Sequence, residues 1–142
     1  MSQENVEILR AEIESFLAGT SESAREDMLG GQAKAWDPEI ELDASEAPVL
    51  DIAGVFRGRD AVQRFWREWL AAWETFRFDY ELVDAGDRVV LLLDLRMRGR
   101  STGIDVPWDN VAWVYTYRSG LLIHQKFYMD QSEALKAGGL EE

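Results

Sequence analysis

Between Val89 and Met97 every odd position is apolar (Val89, Leu91, Leu93, Leu95, Met97), while Asp94, Arg96 and Arg98 sit at even ones. A period of two marks a strand with one buried face. Two further runs, 104–117 and 121–129, follow the tripeptides Ser101-Thr102-Gly103 and Arg118-Ser119-Gly120. Each tripeptide reads as a three-residue hairpin loop ending in a Gly that accepts positive φ. Counting outward from Arg100 opposite Ile104 and Tyr117 opposite Leu121 gives four cross-strand rows on one face. They are Leu91 with Trp113 and Gln125, Leu93 with Val111 and Phe127, Leu95 with Asp109 and Met129, and Val89 with Tyr115 and Ile123. The apolar sets of all three strands share this face, an agreement that a one-residue slip would destroy. Asp109 and Gln125 are its two polar members, and they are where chemistry is sought first.

The preceding sequence supplies cover for that face. Val6, Leu9, Ile13, Phe16 and Leu17 recur at helical spacing over residues 1–18, with Glu4, Glu7, Glu12 and Glu14 around the other side. Ser23 and Glu26 match a capping box and predict a second helix that buries Met28, Leu29, Ala33 and Trp36 and stops before Pro38. A strand over 39–43, a loop over 44–53 and a short strand over 54–57 follow. Asp60 with Gln63 resembles another capping pair, opening a third helix with an apolar stripe of Val62, Phe65, Trp66, Trp69, Leu70 and Trp73. So much aromatic surface must lie on the sheet. Phe78, Tyr80 and Leu82 alternate in a further strand, and a four-residue turn over 84–87 sets them beside Leu93, Leu91 and Val89. Asp130 and Glu133 cap a last short helix that stops at Gly138-Gly139.

Composition narrows the function classes. The chain has 142 residues, enough for a single domain with its own core. It has no cysteine, which excludes disulfides and thiol catalysis, and its single histidine argues against an ordinary zinc site. A net charge of -12 disfavours nucleic acid, whose binding depends on neutralising phosphates. No apolar run approaches the length of a membrane span, and no signal pattern opens the chain. A soluble, cytoplasmic protein without cofactor is expected.

Helices followed by an antiparallel meander make an α+β domain: a curved, mostly antiparallel sheet with three helices on its concave face, closing a cone-shaped apolar cavity. Several motifs carry a resemblance across residues 1–142. They are Gly54-Val-Phe-Arg-Gly-Arg-Asp-Ala-Val leading into Phe65-Trp66-Arg67-Glu68-Trp69-Leu70, then Asp84-Ala-Gly-Asp-Arg-Val-Val90, and Phe127-Tyr-Met-Asp130. The chain resembles the SnoaL-like branch of the nuclear transport factor 2-like superfamily. The resemblance implies that cone and, in isomerase and cyclase members, a cavity Asp acting as general acid or base without cofactor. It puts the isomerase-type base on or next to Asp43. It also implies a homodimer through the outer sheet face. Two departures argue against a steroid isomerase: this chain has no His near Asp43, and Glu12 or Ile13 stands where the isomerases carry a helix-one tyrosine.

Two carboxylates are therefore candidate catalytic residues. Asp109, buried beside Leu95 and Met129, would have its pKa raised toward neutrality, unless it lies at a solvated rim. Asp43 enters the cavity only if its strand bulges, because strict alternation opposes it to Ile40 and Leu42; otherwise it caps the turn before Ala44-Ser45. Trp113 and Gln125, read as cross-strand neighbours, with Tyr115, Trp66, Phe127 and Met129, are the candidate substrate-binding residues. His124 falls on the outer face with Val90, Leu92, Ala112, Val114 and Trp108, an apolar set that suggests a partner surface. The leading reading is a cofactor-independent enzyme moving a proton on an apolar, carbonyl-bearing small molecule. A non-catalytic binding module and a dimeric interaction domain are the alternatives.

Overall fold

The computed structural model describes residues 2–18, 35–46 and 54–139. The described elements run α1 (Ser2–Ala18), β1 (Trp36–Asp43), β2 (Val55–Arg57), α2 (Arg59–Ala72), β3 (Trp73–Ala85), β4 (Arg88–Gly99), β5 (Asp105–Arg118), β6 (Leu121–Tyr128) and α3 (Gln131–Ala137). The six strands form one sheet in the order β2-β1-β6-β5-β4-β3. Only the β1 to β6 pairing is parallel; the others are antiparallel. The sheet is curved and open, and the whole is the expected α+β cone.

Periodicity explains the helices. In α1, Val6, Leu9 and Ile13 are buried, and in α2 Val62, Phe65, Trp69 and Leu70 form the buried stripe. Both helices lie on the inner face with the large core cluster, which holds Leu91, Leu93, Val111, Trp113 and Phe127. Asp60 does not cap α2. The helix begins earlier, behind Gly58 at φ 90, whose carbonyl accepts from the Val62 amide at 3.0 Å. Asp60 instead sits in the first turn, where a carboxylate faces the positive end of the helix dipole. Trp73 leaves the helix to start β3. The predicted second helix lies outside the described residues, apart from Trp36, which opens β1 and is 2 % exposed.

The faces of the central strands are as read from alternation, but three registers differ. The β5 to β6 turn is the two-residue Ser119-Gly120, with φ 55 and 80, and Arg118 pairs with Leu121. Positive φ at both positions matches the twist of the flanking strands. A bulge at Ile123 then adds a second residue of offset, so Tyr115 pairs with Gln125 and Trp113 with Phe127. Trp113 and Gln125 are therefore not direct partners, and Leu122 replaces Ile123 in the core. Likewise Gly86-Asp87 alone turns β3 into β4, which sets Phe78, Tyr80 and Leu82 opposite Leu95, Leu93 and Leu91. Both offsets total two residues, so side chains keep their predicted face everywhere except between the β5 to β6 turn and the Ile123 bulge.

The third difference changes faces. Leu93 pairs with Val111, but Leu95 pairs with Trp108, so β5 carries one extra residue between them. Asn110 adopts φ 60 there, and its amide donates to Asp94 Oδ1 at 2.8 Å, which holds the bulge. Beyond it, Trp108 and Val106 turn inward and Asp109 turns out.

The last helix closes the outer face. Asp130 caps α3 by accepting from the Ser132 amide at 2.8 Å and its hydroxyl at 2.7 Å. Ala134 packs there against Val90, Ala112 and Val114. Those three strand residues, expected to form an exposed partner surface, are at most 4 % exposed, and Trp108 points the other way. The concave face is thus covered by α1 and α2, while α3 lies on the convex side.

Candidate functional site

Between the sheet and helices α1 and α2 lies a pocket of about 90 Å³, small beside the several hundred Å³ of typical ligand sites. Half of its lining residues are aromatic. Trp113 is packed by Trp66, Phe127 and Phe65 at ring separations of 5.4, 5.2 and 6.4 Å. Trp66, Phe78 and Trp108 are only half-buried. Of the six predicted binding residues, Trp113, Gln125, Tyr115, Trp66 and Phe127 line the pocket. Met129 does not, being 40 % exposed at the end of β6.

Neither predicted carboxylate reaches the pocket. The bulge carries Asp109 to the outer face, where its half-exposed carboxylate accepts from Arg96 Nη1 at 2.6 Å. Asp43 obeys strict alternation: Ile40, Leu42 and Ala44 are buried, and Asp43 faces the other way. Its Oδ1 accepts from the Ser45 amide at 3.0 Å and hydroxyl at 2.6 Å, with Lys126 Nζ 3.7 Å from Oδ2. Partial burial opposes its ionisation, but the Ser45 bonds, Lys126 and His124 outweigh that and hold the carboxyl below the usual carboxylate range. It is the turn-capping Asp. His124 lies on the same outer side, with Nε2 3.6 Å from Glu41.

The carboxylate inside the pocket is Glu12 of α1. Burial of its carboxyl pushes its pKa up to about 7, against the opposing pull of a hydrogen bond from the Trp36 indole. Trp36 is itself fixed: Arg59 Nε and Nη2 donate to its carbonyl at 3.0 and 2.6 Å. Tyr115 and Tyr117 of β5 complete this end. Burial, reinforced by the nearby Glu12, raises both phenols, so each stays a neutral O–H donor. The Tyr117 hydroxyl is buried without a hydrogen-bond partner, and Gln125, 2 % exposed, pairs with Tyr115 across the strands. One end of the pocket is thus polar and rich in donors, the other aromatic.

Glu12 was readable as more than a surface residue. It falls four residues after Ile8, three after Leu9 and next to Ile13, on the apolar stripe rather than opposite it. The excess of Glu in α1 hid this. Pro38 reads as a helix stop and so puts Trp36 in a helix, whereas Pro is compatible with the irregular start of β1, where pairing to β6 shifts between Trp36 and Glu41.

Comparison with known proteins agrees with the architecture. A curved sheet enclosing a pocket under helices defines the nuclear transport factor 2-like fold, and solved structures share it. An NTF2-like protein of unknown function from Burkholderia pseudomallei is 20% identical, with TM-score 0.70 over 94% of this chain and 95% of that one. TerC, crystallised with polyporic acid, is 17% identical, with TM-score 0.69 over 96% and 98%. A protein from Jannaschia sp. assigned as a SnoaL-like polyketide cyclase is 16% identical, with TM-score 0.67 over 89% and 85%. The model of the SnoaL-like domain matches residues 9–125, and the chain belongs to that family. No curated protein sequence matches. Among the described residues no helix is long and apolar enough to cross a membrane, and no group of three or more His, Cys, Asp or Glu is placed to hold a metal ion.

Proposed function

We propose that the chain is a cofactor-independent enzyme that moves a proton on a small, apolar, carbonyl-bearing molecule, with Glu12 as the general base or acid. The observation that carries this reading is a single carboxyl, raised to about 7 by burial, among neutral donors in an otherwise apolar pocket. A carboxylate near neutrality exists in both forms and can take a proton from carbon and return it. Tyr115 would donate to the oxygen that gains charge, and Trp113, Gln125, Trp66 and Phe127 would hold the hydrocarbon part. Crystallisation of TerC, a protein of the same fold, with polyporic acid supports a small-molecule role for such a pocket.

Deuterium exchange at the α-carbon of small ketones, followed by NMR in heavy water, tests this directly. The protein should accelerate exchange over buffer, and Glu12→Gln should remove roughly 100-fold or more of that acceleration. Asp109→Asn and Asp43→Asn should leave it intact. Ketone binding without exchange would leave a binding module instead. Pairing of two copies through the outer face would rest on the half-buried Leu92 and Tyr128, which pack beside α3. A monomeric mass by light scattering at micromolar concentration would end it.

A further inference from the structure

The two edges of the sheet differ in length and in protection. β2 ends one side with only 3 residues. β3 ends the other with 13, and it has no Pro, no Lys and no bulge after its irregular start between Trp73 and Thr75. Short strands, Pro, Lys and bulges are the usual means of keeping a sheet edge from pairing further. The two-residue turn at Gly86-Asp87 closes on a hydrogen-bonded pair, Ala85 with Arg88, and every second residue back along β3 then bonds to β4. Phe78, Tyr80 and Leu82 lie between those positions and turn their N–H and C=O groups to the other side, where among the described residues no strand pairs with β3. Their side chains are half-buried against the core, while Thr75, Arg77, Asp79 and Glu81 stand exposed on the opposite face. On that face Arg77 is opposite Arg96 and Asp79 opposite Asp94, like charge beside like charge in two neighbouring rows. Arg96 is paired with Asp109, and the Asp94 carboxylate accepts from the Asn110 amide. Neither Arg77 nor Asp79 makes an ion pair among the described residues.

We infer that β3 pairs antiparallel with the β3 of a second copy of this chain, about a two-fold axis at Phe78, so that two sheets become one. Backbone direction admits only registers that place even residues opposite even ones, and charge selects among these. An axis at Phe78 sets Arg77 opposite Asp79 of the second copy, and Asp79 opposite its Arg77, an opposite-charge pair on each side of the axis. An axis at Arg77 or at Asp79 would set that residue against its own copy, and one at Tyr80 would oppose Asp79 to Glu81. The matched rows are the close, non-hydrogen-bonded ones, where cross-strand side chains approach most nearly. On the inner face Phe78 meets Phe78 of the second copy, in a row that Tyr80 continues at a ring separation of 6.0 Å. Phe78 also lines the pocket, so the second copy packs against one wall of it. This contact is separate from any pairing around Leu92 and Tyr128, and it rests neither on proton transfer nor on the Glu12 carboxyl.

The experiment is charge reversal on the full chain, read by analytical ultracentrifugation at micromolar concentration. The wild type should sediment as a dimer. Arg77→Asp and Asp79→Arg change exposed side chains, so each variant should keep the wild-type circular dichroism spectrum. Each should weaken dimerisation at least about ten-fold, because each puts like charges opposite one another in both rows beside the axis. Mixed in equal amounts, the two variants should form heterodimers as tight as the wild-type dimer, since their altered charges are complementary across the axis. The absence of cysteine gives a second readout. Arg77→Cys and Asp79→Cys, mixed under oxidised glutathione, should form a disulfide-linked pair. Arg77→Cys alone should stay unlinked, because its two copies lie a diagonal apart, beyond the roughly 7 Å between Cα atoms that a disulfide spans. A monomeric wild type would overturn the inference. So would a dimer indifferent to both reversals, which would put the contact on another surface, and so would reversals that weaken the dimer without rescue on mixing. None of these outcomes bears on deuterium exchange in ketones, and failure of exchange leaves the strand pairing untouched.

Discussion

Glu12 and Asp43 are both carboxylates within one small domain, yet their surroundings push them in opposite directions. Asp43 accepts two hydrogen bonds from Ser45 and lies near Lys126, and its acid form is disfavoured. Glu12 is packed among apolar rings with an indole donor, and its acid form persists to about pH 7. The outer face carries ion pairs such as Arg96 with Asp109 and Lys126 with Asp43, while the inner face holds the Glu12 carboxyl among apolar side chains. What separates a structural carboxylate from a candidate catalytic one is therefore not its residue type but the side of the sheet on which the strand or helix leaves it.

The contrast can be broken by mutation, and the inner face should respond more strongly. Phe127→Ala removes a ring that is 3 % exposed and packs on Trp113 and Trp108. It should cost about 3–5 kcal/mol in chemical denaturation. Glu12→Gln should do the reverse at high pH. Below about pH 4 the carboxyl is protonated in both folded and unfolded chains and contributes nothing to the difference. As pH rises from 4.5 to about 7 only the unfolded chain ionises, so the wild type loses stability through that window. At about pH 8 the variant should be more stable by roughly 3 kcal/mol, and near pH 4 the two should coincide. A pH-independent difference would mean that the carboxyl is not desolvated.

On the outer face the effects should be smaller. Asp43→Ala should cost about 1 kcal/mol, the scale of a lost turn hydrogen bond, and should lose that cost as acid protonates Asp43 in the wild type. Asp109→Ala breaks a half-exposed ion pair with Arg96 and should change stability by less than about 1 kcal/mol, and by less still in high salt. A large loss from Asp109→Ala would place that residue in the interior and would undo the bulge that turns it out.

Much of this was legible in the sequence. The alternation of Val89, Leu91, Leu93, Leu95 and Met97 fixed the buried face of β4, and it survived two register offsets because each totalled two residues. Parity is written in the side chains; the exact partner depends on turn type. Gly103 and Gly120 do adopt positive φ, but Ser119 does so as well, which shortens the β5 to β6 turn. The bulge at Asn110 left no hydrophobic signature, since both Trp108 and Asp109 suit one face or the other, and it alone moved the leading catalytic candidate to solvent. The pocket aromatics Trp66, Trp113, Tyr115 and Phe127 were found from periodicity. The acid among them was missed because α1 has several Glu on its outer side and only the helical phase distinguishes Glu12.

The most direct test of this account is a carbon-13 NMR titration of the Glu12 carboxyl, assigned by comparison with Glu12→Gln. One glutamate signal should inflect near pH 7, far above the others, and be absent from the variant. An inflection at the ordinary value of 4.5 would contradict it, and would place Glu12 in water with the other carboxylates of the surface.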